Sequence, residues 1–224
     1  MARYLNNIYN KVVCHSIYNQ IHRIMEIKKY MTSAFRRPIF NHKPCGEISL
    51  FGVYRYEVSS RAVETQNKLR AMTDEKAQKA FKDRNFDWVT PAGTFSYASD
   101  DRQLTASETV CMDLDYLCLP SEIDEENGDP VSELKEKLLK DPYFDTLLLF
   151  RSPRGRGLKW WVPVDLSKCD HRTWFTAIRN YVIMTYHLSE VQCDGQVINE
   201  SRGCLLGHDS HCYLKPELFE YLIK

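Results

Sequence analysis

The chain has 224 residues and a mass of 26.3 kDa, of which 43% are hydrophobic and 12% aromatic. This apolar content excludes an intrinsically disordered chain, because such chains cannot bury enough apolar surface to offset the entropy of ordering. Thirty basic and thirty acidic side chains give a formal charge of zero, so the bulk composition does not indicate a nucleic-acid-binding protein. Any such binding depends on local clusters of charge.

The eight cysteines are scattered without a CxxC pair, and the N-terminus carries no apolar signal segment. Both features favour reduced thiols in a cytoplasmic protein. No apolar run approaches the roughly 20 residues that a membrane span requires. We therefore expect a cytoplasmic protein with no membrane partner.

Apolar residues recur at intervals of three and four over residues 4–25, which predicts an amphipathic helix. Pro38 and Pro44 then break this pattern. The sequence thus predicts an N-terminal helical extension over residues 1–45, followed by one main domain over residues 46–224.

The next segments predict a strand and two helices. Residues 48–56 are rich in β-branched and aromatic side chains, as in a short strand. Residues 59–83 turn to Ala, Gln, Glu, Lys and Arg, with Thr73 placed to cap a second helix that begins at Asp74. Residues 85–97 are typical of a loop running into a strand.

Residues 108–117 form an apolar strand interrupted by two acids, Asp113 and Asp115. Because side chains alternate along a strand, both carboxylates point to one face. Their repulsion is relieved if a cation lies between them or one acid is protonated, and such hard oxygen ligands suit Mg²⁺ or Mn²⁺. The alternative is a strand end with two solvated acids. The flanking apolar residues favour the metal site, because they indicate a buried strand that ends at a sheet edge.

The remaining segments alternate between helices and strands, which predicts the α+β class. In chain order they are an acidic turn (121–130), a helix (131–140), a strand (146–150), a basic turn (152–157), a strand (158–164), a helix (174–188) and a final strand with Leu205 and Leu206. The first of these helices ends before Asp141-Pro142, since proline disfavours a helical residue before it.

The basic turn has the sequence Arg151-Ser-Pro-Arg-Gly-Arg-Gly-Leu-Lys159. Its glycines, Gly155 and Gly157, allow backbone N–H groups to converge on an anion, and its cationic side chains add charge-assisted donors suited to a triphosphate. These side chains are Arg154, Arg156 and Lys159. The alternative is a solvated hairpin whose glycines serve only the turn. The GxxxxGK[ST] spacing is absent, which disfavours a Walker-type ATPase.

Six segments together carry a family resemblance: Thr90-Pro-Ala-Gly-Thr-Phe, Val110-Cys-Met-Asp-Leu-Asp-Tyr, Ser152-Pro-Arg-Gly-Arg-Gly-Leu-Lys, Asp194, Ser201-Arg202 and His208-Asp209. In this order they resemble the primase-polymerase domain of Bacteroides mobile-element proteins. That domain is often labelled VirE N-terminal-like and belongs to the archaeo-eukaryotic primase superfamily. The match covers residues 46–215. It implies an RRM-like primase catalytic core, a mixed or antiparallel sheet flanked by helices, with an N-terminal helical and α/β extension.

The resemblance also implies roles for individual residues. Asp113, Asp115 and Asp194 would hold two divalent ions, Mg²⁺ or Mn²⁺. The incoming triphosphate would be held by Ser152, Lys159 and Arg202, with Gly155 and Gly157 shaping the turn. Many relatives have His where this chain has Lys159, and the subfamily commonly has a small polar residue at the position of Arg154.

The activity implied is that of a DNA primase or primase-polymerase. One ion would lower the pKa of a 3′-hydroxyl while the other stabilises the leaving pyrophosphate. The expected partners are a single-stranded DNA template, nucleoside triphosphates and a replicative helicase acting in trans. Two other functions stay open: a non-catalytic DNA- or partner-binding module with a primase fold, and a nuclease that uses the same acids.

Two further sites are weaker hypotheses. A template groove is predicted around Arg36, Arg37 and Lys43, with either Trp160 or Trp161 available for stacking. Strand alternation would place one tryptophan in the core and the other outside. A zinc site is an alternative for four residues near the C-terminus, although the paired short spacing of structural zinc sites is missing. These residues are Cys204, His208, His211 and Cys212.

Overall fold

The computed structural model describes residues 28–219 and confirms the α+β class. The helix predicted over residues 4–25 lies outside the described residues. The helices are α1 (Leu50–Glu57), α2 (Val63–Arg70), α3 (Glu75–Asn85), α4 (Pro130–Leu139) and α5 (His171–Tyr186). The strands are β1 (Thr32–Phe35), β2 (Gly46–Ile48), β3 (Trp88–Thr90), β4 (Gly93–Phe95), β5 (Gln103–Ala106), β6 (Thr109–Leu114), β7 (Leu148–Arg151), β8 (Leu158–Pro163), β9 (Cys204–Leu205) and β10 (Tyr213–Leu214).

The strands form two four-stranded antiparallel sheets and one two-stranded pair. The first sheet has the order β2-β1-β3-β9, the second β10-β7-β8-β6, and β4 pairs with β5. In the second sheet a single antiparallel bridge joins Leu114 of β6 to Cys193. The succession β6-α4-β7-β8-α5, followed by this bridge beside β6, has the strand–helix–strand–strand–helix–strand order of ferredoxin-like sheets. The predicted RRM-like arrangement therefore agrees with the observed order.

Both faces of the second sheet are covered. On one face Met112 and Trp160 belong to a core shared with α4 and α5, and on the other Trp161 belongs to a core shared with α1 and the first sheet. Trp160 and Trp161 are both fully buried, and the Trp160 indole N–H donates to Thr146 Oγ1 at 2.8 Å. The expectation that one tryptophan is exposed for base stacking is therefore wrong. Strand alternation exposes a residue only where one face of the sheet is solvated.

The strand predicted over residues 48–56 is also wrong. β2 ends at Ile48, and α1 follows at once, because Ser49 caps the helix by accepting a hydrogen bond from the Gly52 N–H at 3.3 Å. The buried residues of α1 are Leu50, Val53 and Glu57, a spacing of three and four. Helical periodicity here outweighs the β propensity of single residues.

Other boundaries differ by a few residues. The N-cap of α3 is Asp74, not Thr73, and α5 begins at His171 rather than at residue 174. β1 pairs with both β2 and β3, so the first sheet joins residues on both sides of the predicted boundary after residue 45. Within residues 28–219, none of the helices combines the length and the hydrophobicity needed to cross a bilayer.

Candidate functional site

Asp113 lies near the end of β6, on the face of the second sheet that is turned toward the first sheet, and Asp115 follows the strand. Lys159 of β8 is the direct cross-strand partner of Asp113, and its ammonium forms an ion pair with Asp113 Oδ2. Burial opposes the charge on Lys159, but Asp113 and Asp115 outweigh it and raise the pKa of this ammonium. The two predicted acids therefore share their site with a fixed positive charge.

Three buried polar atoms of the predicted site have no hydrogen-bond partner among the residues that the structure describes. They are Asp113 Oδ1, Ser152 Oγ and Arg154 Nε. A buried carboxylate oxygen without a donor is costly, and a divalent cation is one ligand that satisfies it. A free hydroxyl and a free guanidinium N–H suit an anion instead. This donor set therefore fits a cation together with an anionic group.

The basic turn packs directly against the end of β6. A Cβ added at Gly157 would lie 2.3 Å from the Leu114 carbonyl oxygen, 2.9 Å from Asp115 Oδ1 and 3.1 Å from Ser152 Oγ. The turn is closed by hydrogen bonds from the Ser152 N–H to the Gly157 carbonyl, at 2.9 Å, and from the Gly155 N–H to the Ser152 carbonyl, at 2.8 Å. Gly155 has a φ of 79°, which glycine adopts readily. Glycine at residue 157 is thus what lets the turn approach the acids.

Arg151, at the start of the turn, has a structural role. Its buried guanidinium donates to both oxygens of Asp129, at 2.7 and 2.8 Å, and to the Gly155 carbonyl at 2.7 Å. Burial opposes the charge on Asp129, but the hydrogen bonds from Arg151 outweigh it and hold the pKa of Asp129 well below its usual range. Arg151 therefore anchors the turn to the N-terminus of α4.

The other predicted arginines differ in their surroundings. Arg156 donates to the Cys118 carbonyl at 3.0 Å, and its guanidinium lies 5.2 Å from the centroid of the Tyr116 ring. It is therefore bound to the loop after Asp115. Arg202 is exposed, and no side-chain contact in the described part of the chain joins it to Asp113 or Asp115.

Asp194 lies beside β6 on the side opposite β8. Its backbone N–H donates to the Asp113 carbonyl at 3.3 Å, next to the bridge between Leu114 and Cys193. Across residues 28–219, however, His, Cys, Asp and Glu side chains form no group of three or more that is positioned to hold a metal ion. The three aspartates are therefore not preassembled as ligands.

The same finding applies to the zinc alternative. The four proposed zinc ligands near the C-terminus do not form a metal-binding group among the described residues. The His208 ring Nδ1 lies 2.9 Å from the Ser59 carbonyl oxygen, and Cys204 belongs to the packed interior of β9. Packing and hydrogen bonding account for these two residues without zinc.

Lys82 is a site residue that the sequence did not reveal. It lies on α3, is half-buried, and has no ion-pair or hydrogen-bond partner within residues 28–219. Burial, and then the positive charges of Lys159 and Arg154, lower its pKa, while Asp115 and Asp113 oppose this effect. In sequence Lys82 resembles the other lysines of a polar helix, and no local signal distinguishes it.

The predicted template residues lie elsewhere on the surface. Arg36 and Arg37 both pair with Asp87, at 3.1 and 3.5 Å, while Lys43 is exposed. Asp87 is buried and also accepts a hydrogen bond from the Tyr56 hydroxyl at 3.3 Å. The two arginines therefore combine a structural contact with a solvent-facing charge.

Comparison with known proteins and protein families assigns the chain to a family. Neither the curated proteins nor the solved structures contain one that is significantly similar to the chain. The profile of the family described as BT4734-like, N-terminal domain matches residues 81–214, which is more than half of the chain. This span includes α4, α5, Asp113, Asp115 and the basic turn. The chain therefore belongs to the BT4734-like, N-terminal domain family.

Proposed function

We propose that this chain is a metal-dependent, template-directed nucleotidyltransferase, a DNA primase or primase-polymerase that joins nucleoside triphosphates on single-stranded DNA. The observation that carries the proposal is the packing of a basic turn against an acidic strand end, where residue 157 has room only for glycine. Joining a triphosphate to a hydroxyl requires both elements, because charge must be neutralised on the attacking and the leaving oxygen. Within this proposal the chain acts in the cytoplasm during replication of a mobile element, with a replicative helicase acting in trans.

The metal ligands in this proposal are Asp113, Asp115 and Asp194. Magnesium is commonly bound by one or two carboxylates together with substrate phosphates, so a fully preassembled protein site is not required. The unpartnered Asp113 Oδ1 supports this assignment. Two divalent ions bound there would activate the 3′-hydroxyl and neutralise the pyrophosphate.

The triphosphate, in the same proposal, is held by the cationic residues around the acids. Ser152 and Arg154 each have an unpartnered buried donor, and Lys82 has no counterion among the described residues. Lys159 would turn from Asp113 toward a phosphate oxygen, which leaves Asp113 free as a ligand. The chain itself therefore positions the phosphates and balances their charge.

Primer extension tests this function. The full chain is incubated with a primed or unprimed single-stranded template, ribo- or deoxyribonucleoside triphosphates, and Mg²⁺ or Mn²⁺. We expect extended products whose rate falls roughly 100-fold or more in Asp113→Asn. The matched control is Asp145→Asn, which removes an exposed carboxylate paired with Lys215 at 2.8 Å and should leave the rate unchanged. Absence of extension under all mixtures, with a control primase active, would overturn the proposal.

The second candidate is a non-catalytic DNA- or partner-binding replication module with a primase fold. The observation in its favour is the ion pair between Lys159 and Asp113, together with the lack of a preassembled three-ligand metal group in residues 28–219. This function predicts DNA binding that neither a chelator nor Asp113→Asn changes. The primer-extension assay also distinguishes a nuclease, because its products would be shorter than the primer.

A further inference from the structure

A stack of aromatic rings leads from the interior to the surface beside β1. Phe35 and Trp88 stack in the core with ring centroids 3.9 Å apart. The His42 ring meets the edge of Trp88 at 6.5 Å, and the Tyr97 ring lies on His42 at 5.4 Å with an interplanar angle of 21°. Tyr97 is 50% exposed, and Phe40, two residues before His42, is 60% exposed. The outer rings are therefore open to solvent but supported by the core.

Backbone contacts fix the position of this stack. The Ala98 N–H donates to the His42 carbonyl at 2.9 Å, and His42 Nδ1 lies 3.2 Å from the Ala98 carbonyl oxygen. An open depression of about 460 Å³ adjoins Tyr97 and is lined by Ser96, Ser99, Asp101 and Arg102. This depression leaves open space beside the exposed face of the tyrosine.

The charge of the same surface is positive. Residues 36–43 contain Arg36, Arg37 and Lys43 and no acidic residue. Asp87 offsets one of these charges, because both arginines share it. Exposed rings that alternate with unneutralised cations are the combination that binds single-stranded nucleic acid: the bases stack and the phosphates pair with the cations.

On the other side of Tyr97 the acidic side chains are compensated. Asp101 pairs with Arg102 at 3.3 Å, and Asp100 pairs with Arg172 at 3.0 Å. These acids therefore add little repulsion toward a phosphate backbone.

We infer that this aromatic-basic surface, made of Arg36, Arg37, Phe40, His42, Lys43 and Tyr97, binds the template strand by stacking bases on Tyr97 and Phe40. The inference rests on the proposed function and supplies the stacking residues that Trp160 and Trp161 cannot provide. Two hydrogen bonds join the surface to α3. The Ile39 N–H donates to the Asp83 carbonyl at 2.8 Å, and Arg37 donates to the Asn85 carbonyl at 3.0 Å. Both acceptors lie in the last turn of α3, which also carries Lys82.

Fluorescence anisotropy with a labelled oligothymidine of about 16 nucleotides tests this inference on the full chain. We expect Tyr97→Ala to weaken binding roughly 5- to 100-fold, because stacking of one base contributes that much. Phe40→Ala should act in the same direction, while Tyr97→Phe should bind normally. The matched control is Tyr143→Ala, which removes a tyrosine that is 77% exposed elsewhere on the surface. Lys43→Ala should reduce the salt dependence by about 0.7 in the log–log slope.

Several outcomes would overturn the inference. One is no binding of oligothymidine by the natural chain, and another is a loss of affinity in Tyr97→Ala no larger than in Tyr143→Ala. A third is competition by polyglutamate as effective as that by unlabelled oligothymidine, which would indicate recognition of charge alone. Circular dichroism spectra check that each variant is folded. If Tyr97-dependent binding persists but no chain extension occurs, the proposed function fails and the surface stands. If Asp113-dependent extension persists without Tyr97-dependent binding, the surface fails and the function stands.

Discussion

The ion pair between Arg151 and Asp129 gives the sharpest stability prediction, because it anchors the basic turn in a buried environment. The Arg151 side chain is 6% exposed and that of Asp129 is 0% exposed. Asp129→Asn removes the negative charge but keeps a carbonyl oxygen that can still accept the Ser132 N–H, now at 2.8 Å from Asp129 Oδ1. The substitution therefore leaves Arg151 with its longer contact to Glu125 Oε1, at 3.7 Å, and also removes the oxygen that accepts the Asp124 N–H.

The expected loss follows from this burial. Removing one partner of a buried ion pair costs about 3–5 kcal/mol, because its short hydrogen bonds are lost and the contact with Glu125, at 3.7 Å, compensates the remaining charge only in part. With a urea dependence of about 2 kcal/mol per molar, the unfolding midpoint should fall by about 1.5–2.5 M. The exposed pair of Asp145 with Lys215 provides the control, since Asp145→Asn should cost about 0–1 kcal/mol. Replacing both partners together, as Asp129→Leu with Arg151→Met, should recover much of the loss.

Urea titration followed by circular dichroism measures these differences, and the pH dependence adds a second check. The pKa of Asp129 is lowered in the folded chain, so its contribution is present above the unfolded value near 4 and is lost as pH falls through the folded value. The difference between the natural chain and Asp129→Asn should therefore shrink in acid. A midpoint shift in Asp129→Asn no larger than in Asp145→Asn would show that the Arg151–Asp129 pair does not stabilise the fold.

Three further predictions concern substitutions of single residues. Gly157→Ala should reduce extension activity about 100-fold, because its Cβ would displace the turn from the Leu114 carbonyl. The control is Gly128→Ala, where φ is 100° but the space is open, so this variant should lose stability and keep its activity. Equal activity in the two variants would show that the close approach of the turn is not needed. Lys82→Met should raise the thermal midpoint and weaken triphosphate binding, since burial and the charges of Lys159 and Arg154 outweigh the nearby acids and disfavour the ammonium until a phosphate is bound. Weaker binding with a lower midpoint would indicate a structural role. Burial lowers the pKa of His171 in the folded chain, so protonation of this ring disfavours the fold. The free energy of unfolding should therefore drop as pH falls below about 6.5, and it should drop less steeply in His171→Asn. Parallel curves of unfolding free energy against pH for the natural chain and the variant would contradict this prediction.

Several elements were predictable because their signals are local. α4 spans Pro130–Leu139 and follows the side-chain cap of Asp129, and it ends before Asp141-Pro142, where proline disfavours the helical conformation of the residue before it. β6 was predictable because its apolar run is long enough to be buried. The predicted strand extended to residue 117, but β6 ends at Leu114, so strand alternation applies to Asp113 and not to Asp115.

Other features depend on distant parts of the chain. The burial of both Trp160 and Trp161 requires that the first sheet cover the second, which neither tryptophan encodes locally. Lys82 feels the charges of Asp113 and Asp115 only because of the tertiary fold, although its sequence neighbourhood resembles any solvated helix. The strand predicted over residues 48–56 failed because the Ser49 cap and the spacing of buried residues select a helix.

A crystal structure with Mn²⁺ and a non-hydrolysable nucleoside triphosphate would show whether the end of β6 binds metal, since anomalous scattering locates the ion. We expect Mn²⁺ within about 2.2 Å of oxygens of Asp113 and Asp115, with Asp194 turned toward it and the Lys159 ammonium on a phosphate. Triphosphate bound elsewhere, or a Lys159 that remains on Asp113 with no metal beside it, would contradict a metal and triphosphate site at the end of β6.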